Sequence, residues 1–186
     1  ILSCDYSQIE LRVLAHIAND KNMIDSFKHH SDIHTKTASE VFNVDIDSVT
    51  KLMRSWAKAV NFGIVYGLGA FSLSQDLKIT KKEAEMYINI YLQRYPEIKK
   101  YLDDVVKFAE QNGYVETILN RRRFIPEIKS SNKIVKALGE RLAKNAPIQG
   151  SAADIIKIAM INVYNRLNKE KLKSKLILQV HDELIL

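Results

Sequence analysis

Cysteine and proline are scarce in this 186-residue chain, with one Cys and three Pro, and glycine occurs only six times. A lone cysteine cannot close an internal disulfide, so burial and hydrogen bonding have to hold the fold and a reducing compartment is expected. So few breakers exclude collagen-like and Pro/Gly-rich low-complexity chains. No apolar run approaches the roughly 18 residues that a membrane-crossing helix needs. Neither G-x-x-x-x-G-K-[ST] nor G-x-G-x-x-G is present, which removes the P-loop and dinucleotide-fold readings. No internal repeat or Gly/Ser linker interrupts the chain. What is there is 46% hydrophobic and 27% charged, enough apolar material for a packed core. The sequence begins ILSCDYS, without Met or a signal peptide, and stops at HDELIL inside an apolar run. The expectation is a piece of a longer protein.

The formal net charge is +6, and it is unevenly spread. Residues 121–144 hold eight Lys or Arg against two Glu, whereas residues 1–50 hold four bases against eight acids. A basic stretch with an acidic start suits a site for both a polyanion and divalent cations; a solvated helix face would look the same.

Apolar spacing predicts a buried strand over Ile1–Cys4, then a helix opened by a Ser7–Glu10 capping box and running through Ile9, Val13, Leu14 and Ile17. Helices are expected over Met23–Phe27, over Ile33–Phe42 behind Asp32, and from Leu52 to Tyr66 with Gly67 as the stop. Thr80 and Glu83 predict a second capping box, with that helix ending near Pro96 and the next ending at Gly113. A small hairpin is expected after Gly113, then a helix broken at Pro147 and another through Ile155 and Met160. KLILQVHDELIL reads as a hairpin turning at His181 and Asp182. The result is an α+β pattern in which the first strand and last hairpin share one sheet around a helical insert.

Asp5 ends an apolar strand, and Asp182 and Glu183 sit at the turn of an apolar hairpin. If the strands are neighbours, these carboxylates converge on a hard cation such as Mg²⁺; otherwise they are ordinary turn residues. Arg54, Lys58, Phe62 and Tyr66 recur every four residues, which keeps them on one helix face over about 18 Å. Two cations followed by two rings suit the phosphates and then the sugar and base of a nucleoside triphosphate. Core aromatics with snorkelling bases are the alternative. Arg141, Asn145 and Gln149 form a second such ladder with donors suited to base edges and sugars, crossed by Pro147.

Three ordered segments resemble the polymerase core of family A DNA polymerases, the bacterial DNA polymerase I type: DYSQIELR (Asp5–Arg12), RSWAKAVNFGIVYG (Arg54–Gly67) and QVHDEL (Gln179–Leu184). NAPIQGSAADIIK (Asn145–Lys157) and DIHTKTASEVF (Asp32–Phe42) extend the likeness across the chain. It implies a right-hand polymerase core without its thumb, with palm elements at residues 1–20 and 136–186 and helical fingers at 21–135. The implied activity is template-directed addition of deoxynucleotides to a primer 3′-hydroxyl with release of pyrophosphate. A non-catalytic DNA-binding relative and a metal-dependent nuclease are the alternatives.

By the same resemblance, Asp5 and Asp182, with Tyr6 beside them, hold two Mg²⁺ ions, and Glu183 is a neighbouring catalytic acid with a lesser role. Arg54, Lys58 and His34 grip the triphosphate, Lys58 acting in catalysis. Gln8 belongs to the nucleotide site. Glu10 blocks a ribose 2′-hydroxyl, and Phe62 and Tyr66 lie against the sugar and nascent base pair. Arg141, Asn145, Gln149 and His181 touch the primer-template minor groove. The implied partners are primer-template DNA and deoxynucleoside triphosphates, with no membrane, for a bacterial cytoplasmic, nucleoid-associated monomer. Met53, Trp56 and Gly69 depart from the usual family residues without touching these positions.

Overall fold

Side-chain oxygens start five of the described helices, and two of those starts, at Asp32 and Thr80, were expected from the sequence. The structure, a computed structural model, describes residues 1–29 and 32–186. Asp20 accepts from Met23 N and starts α2 (Lys21–Lys28), and Asp32 accepts from His34 N and starts α3 (Ile33–Phe42). Thr50 starts α4 (Lys51–Val65), Thr80 and Glu83 form a reciprocal capping box before α6 (Lys81–Arg94), and Asn132 starts α8 (Lys133–Lys169). Each cap satisfies amide donors that the first helical turn leaves without partners. Two glycines supply the stops: Gly67, at φ +63° beyond α4, and Gly113, at φ +78° after α7 (Pro96–Asn112). A short helix, α5 (Ala70–Leu77), was not anticipated, since only eight residues carry its pattern.

Three expectations are corrected. Ser7 and Glu10 make no capping box: α1 (Ile9–Ala18) is preceded by Gln8 in the left-handed region, with no side-chain cap. That turn leaves the Glu10 carboxyl available to other partners. The first strand is β1 (Ser3–Asp5), and it is exposed rather than buried, because it lies at the edge of its sheet with one neighbour. Pro147 does not break its helix, and α8 runs through it for 37 residues. An interior proline costs about 3 kcal/mol, but Ala143, Ala146, Ile148, Ala152 and Ile156 are all buried around it. Each fully buried Ile contributes about 1.5–3 kcal/mol, so packing outweighs the break.

Two small antiparallel sheets complete the molecule. β2 (Tyr114–Glu116) pairs with β3 (Arg122–Phe124), the hairpin expected after Gly113. β4 (Leu178–Val180) and β5 (Glu183–Ile185) form the C-terminal hairpin, and β5 also pairs with β1, giving the order β1-β5-β4. First strand and last hairpin therefore share a sheet, as predicted. Its link to the main core is Leu184, which packs with residues of the helices. α1 lies centrally, with Leu11 and Leu14 fully buried, and a smaller core joins α7, the β2–β3 hairpin and α8. The architecture is α+β and mostly helical, and among the described residues no helix is long and apolar enough to cross a membrane.

Candidate active site

The β1–β5 register puts Asp5 directly opposite Glu183, with the turn residue Asp182 alongside. Tyr6 N donates to Asp182 O at 3.1 Å and locks the two strand ends together. His181 takes a left-handed φ of 51° in the hairpin turn, and its carbonyl accepts from Gln179 Nε2 at 2.9 Å. Asp5 and Asp182 thus meet at one edge of the sheet although 177 positions separate them in the sequence. Glu183 parts from them: its carboxylate accepts from Ser3 Oγ, and it does not line the cavity that they border.

That cavity, about 550 Å³, lies between the sheet edge, the start of α1, α3, α4 and α8. Asp5, Tyr6, His181 and Asp182 line it from the sheet side, Gln8 and Glu10 from α1, and His34 from α3. From α4 come Arg54, Lys58, Phe62 and Tyr66, so the four-residue ladder does face one space. Gln149 comes from α8. The Lys58 ammonium lies 5.8 Å from the Phe62 ring centre, and the Phe62 and Tyr66 rings stack with centroids 6.0 Å apart. The back of α4 packs instead: Trp56 lies 5.9 Å from Phe42 and 6.3 Å from Tyr87, which accounts for its bulk there.

Arg141 and Asn145 do not reach this cavity. They line an adjoining hollow with Tyr66 and Gln149, so the uninterrupted α8 carries its ladder past the end of α4. Asn145 Nδ2 donates to Val65 O at 3.3 Å and satisfies a carbonyl at the α4 C-terminus. Gly67 packs so closely on Arg141 that an added Cβ would stand 3.2–3.4 Å from it.

Glu10 shows what the absent capping box releases. Its carboxyl shares the cavity with the Tyr66 phenol and the Gln149 amide, both of which can donate toward it. Burial raises its pKa above the usual carboxylate range against those two donors, with the negative charge of Asp182 adding to the rise. Burial, then Glu10 itself, raises the Tyr66 phenol, which stays protonated and can donate. Arg54 is held by Asp32, Nε to Oδ2 at 2.6 Å. Asp32 is pulled down to about 2 by its bonds from Arg54, Thr35 and the His34 amide, which overcome its partial burial. Burial lowers the pKa of His34, leaving a neutral imidazole at pH 7. Asp32, Asn61 and Gln179 were missed as site residues although all three lay inside quoted motifs; the burial of Asn61 left no signal in its spacing.

Among the described residues, no group of three or more His, Cys, Asp or Glu side chains could hold a metal unaided. Asp5 and Asp182 offer two hard carboxylates at an open edge. Mg²⁺ is commonly held by one or two carboxylates with water and substrate phosphates completing its shell, so the donor set fits Mg²⁺ and lacks the nitrogen and sulfur ligands zinc prefers.

The sequence matches DNA polymerase family A over residues 1–186. It is 58% identical over its full length to DNA polymerase I of Caldicellulosiruptor bescii, covering 22% of that protein. It is 56% identical to DNA polymerase I of Bacillus subtilis, covering all of this chain and 21% of that protein. The chain therefore spans about a fifth of these relatives. A solved structure described as the POL domain of Pol1 from M. smegmatis, in complex with DNA primer-template and dNTP, superposes with a TM-score of 0.93 at 48% identity. That match covers 98% of this chain and 32% of the other. With a family match along its whole length and a polymerase domain of the same fold, the chain belongs to DNA polymerase family A.

Proposed function

We propose that this chain is the nucleotide-adding centre of a DNA-directed DNA polymerase, which extends a primer 3′-hydroxyl on a DNA template. The observation that carries this reading is the single cavity joining the Asp5–Asp182 edge to the Arg54, Lys58, Phe62 and Tyr66 face of α4. A DNA-binding module has no need for paired carboxylates opposite a row of phosphate-binding cations, and a nuclease has no need for the aromatic half of the row. The structural relative's complex with primer-template and dNTP supports both partners.

In this reading residues 1–20 and 136–186, which hold the β1-β5-β4 sheet, α1 and all but the first turn of α8, are palm, and residues 21–135, which hold α2–α7 and the β2–β3 hairpin, are fingers. Asp5 and Asp182 would hold Mg²⁺, which when bound supplies charge stabilisation at the reacting phosphate. Arg54 and Lys58 bind the triphosphate, and Lys58 sets a positive charge where negative charge develops on departing pyrophosphate. The 3′-oxygen forms a bond to the α-phosphorus as the bond to pyrophosphate breaks, and orientation by these groups accounts for much of the rate. Phe62 and Tyr66 offer flat surfaces to sugar and base. Glu10, facing the same cavity as Tyr66 and Gln149, closes the space a ribose 2′-hydroxyl would need. Arg141, Asn145, Gln149 and His181 face the minor groove, whose acceptors occupy similar places in every correct pair; this suits an enzyme that checks geometry without reading sequence.

Mg²⁺-dependent extension of a primed template by the full-length polymerase tests the proposal. Lys58→Ala should lower single-turnover incorporation about 100-fold or more, as loss of a preorganised charge does, with primer-template affinity nearly unchanged. Undiminished incorporation would refute the assigned direction of the α4 face.

A further inference from the structure

Asn61 lies on α4 between Val60 and Phe62, fully buried, on the side turned away from solvent. Its Nδ2 stands 3.1 Å from His34 Nδ1 and 3.2 Å from Thr37 Oγ1, while Thr37 Oγ1 is 3.4 Å from Asn61 Oδ1. Thr37 is itself fully buried, and its hydroxyl faces the Tyr95 phenol. Tyr95 Oη donates to Glu40 Oε2 at 3.3 Å, and Glu40 is ion-paired with Arg94 at 2.8 Å. These six side chains line up in a chain from the α3–α6 surface to the wall of the cavity.

The direction of the chain follows from donor and acceptor arithmetic. An ionised carboxylate only accepts, so Tyr95 must give its proton to Glu40 and can receive only through its oxygen. Toward Tyr95 the Thr37 hydroxyl can therefore only point its proton, which leaves its oxygen to receive from Asn61 Nδ2 at 3.2 Å. That selects the amide nitrogen, the nearer of the two Asn61 atoms, as the one facing Thr37. The second N–H of the same amide points to His34 Nδ1, which has to accept.

We propose that Asn61 is a positioning residue for His34, its amide holding the imidazole in the Nε2–H form so that a neutral donor is presented to the triphosphate. The inference rests on the reading of His34 as a nucleotide contact and adds what fixes its proton. A neutral, correctly oriented donor needs no protonation step when nucleotide arrives, and it keeps a fixed acceptor from opposing phosphate oxygens. The charged groups facing His34 are Asp32 at the start of α3 and Arg54 and Lys58 on α4. Burial and the two cations disfavour the imidazolium and together outweigh Asp32, which favours it, so the neutral form is supported.

The test begins with ¹⁵N NMR of histidine-labelled full-length polymerase, which distinguishes protonated from unprotonated ring nitrogens. His34 should show unprotonated Nδ1 and protonated Nε2 across neutral pH, and an Nδ1–H signal would overturn the assignment without any variant being made. In Asn61→Asp the carboxylate can only accept, so Nδ1 gains the proton and the neutral ring turns a lone pair toward phosphate. KM for the nucleotide should rise about tenfold at pH 8, the scale of one lost bond to a charged group. kcat should fall much less, and the KM defect should shrink as pH falls and the ring becomes doubly protonated. A folded Asn61→Asp polymerase with wild-type KM and pH profile would contradict the proposal. A normal KM in His34→Ala would refute the nucleotide-contact reading beneath it, and so separates that failure from an error about Asn61.

Discussion

Phe62 occupies the middle of the site: its ring is 6.0 Å from those of both His34 and Tyr66, and Lys58 lies over it. If phosphates lie along Arg54 and Lys58, the ring stands near the sugar 3′ position and has no hydroxyl to give. A deoxynucleotide fills that polar position with its own 3′-hydroxyl, whereas a dideoxynucleotide leaves it empty. Phe62→Tyr should therefore recover roughly 1.5–3 kcal/mol for the dideoxy substrate, or about one to two orders of magnitude in the ratio of catalytic efficiencies. Competition between the two substrates in full-length enzyme and variant measures it, and an unchanged ratio would remove Phe62 from the sugar. Asp32 allows a pH prediction. Its folded pKa, about 2, is below the ordinary 3.8, so its stabilisation is complete above the ordinary value. It is lost as pH falls through the folded value. The stability gap between the parent and Asp32→Asn should thus be constant above about pH 5 and close toward pH 2. A gap that widens in acid would have the wrong sign for the Arg54 pairing.

Helices and strands follow local chemistry except where distant neighbours decide. Gly139, inside α8, illustrates the conflict. Helix propensity favours Ala there by about 1 kcal/mol, yet an added Cβ would lie 2.6 Å from Ile128 N and 2.8 Å from Glu127 C. Gly139→Ala should destabilise by about 2 kcal/mol or more, the range of overpacked sites. Gly63→Ala, whose Cβ would meet Leu73 at an ordinary 3.8 Å, should be neutral or stabilising in the same denaturant series. A stabilised Gly139→Ala would mean that the 3₁₀ turn at Pro126–Lys129 does not press on α8. The same division explains what the sequence disclosed. Caps at Asp32 and Thr80 and the Gly67 and Gly113 stops are local, and they were legible. Pro147 misled because the burial that offsets its cost comes from other elements. The Ser7–Glu10 signature misled because Gln8 turns left-handed and Glu10 faces the cavity beside Tyr66 and Gln149 instead. The α4 ladder was legible from its period alone, but the link between Asn61 and Thr37 joins two helices and leaves no trace in either spacing.

At the scale of the molecule, charge and topology divide the work. The basic window is partly spent within the fold, since Arg121 pairs with Asp154, Arg122 with Glu116 and Lys136 with Glu110. Among the described residues Arg123, Lys129, Lys133, Arg141 and Lys144 make no ion pair, so the proposed DNA affinity should rest on such cations and fall with salt. The carboxylate edge contributes little to that affinity, because Asp5 and Asp182 carry the same charge sign as DNA. Binding and chemistry are therefore separable, and this is the claim the whole account depends on. The direct test is single-nucleotide incorporation, measured beside primer-template affinity, in full-length polymerase carrying Asp5→Ala or Asp182→Ala. Either substitution should abolish incorporation while affinity is unchanged or slightly improved; near-normal incorporation in either variant would contradict the assignment of the sheet edge as the centre of the reaction.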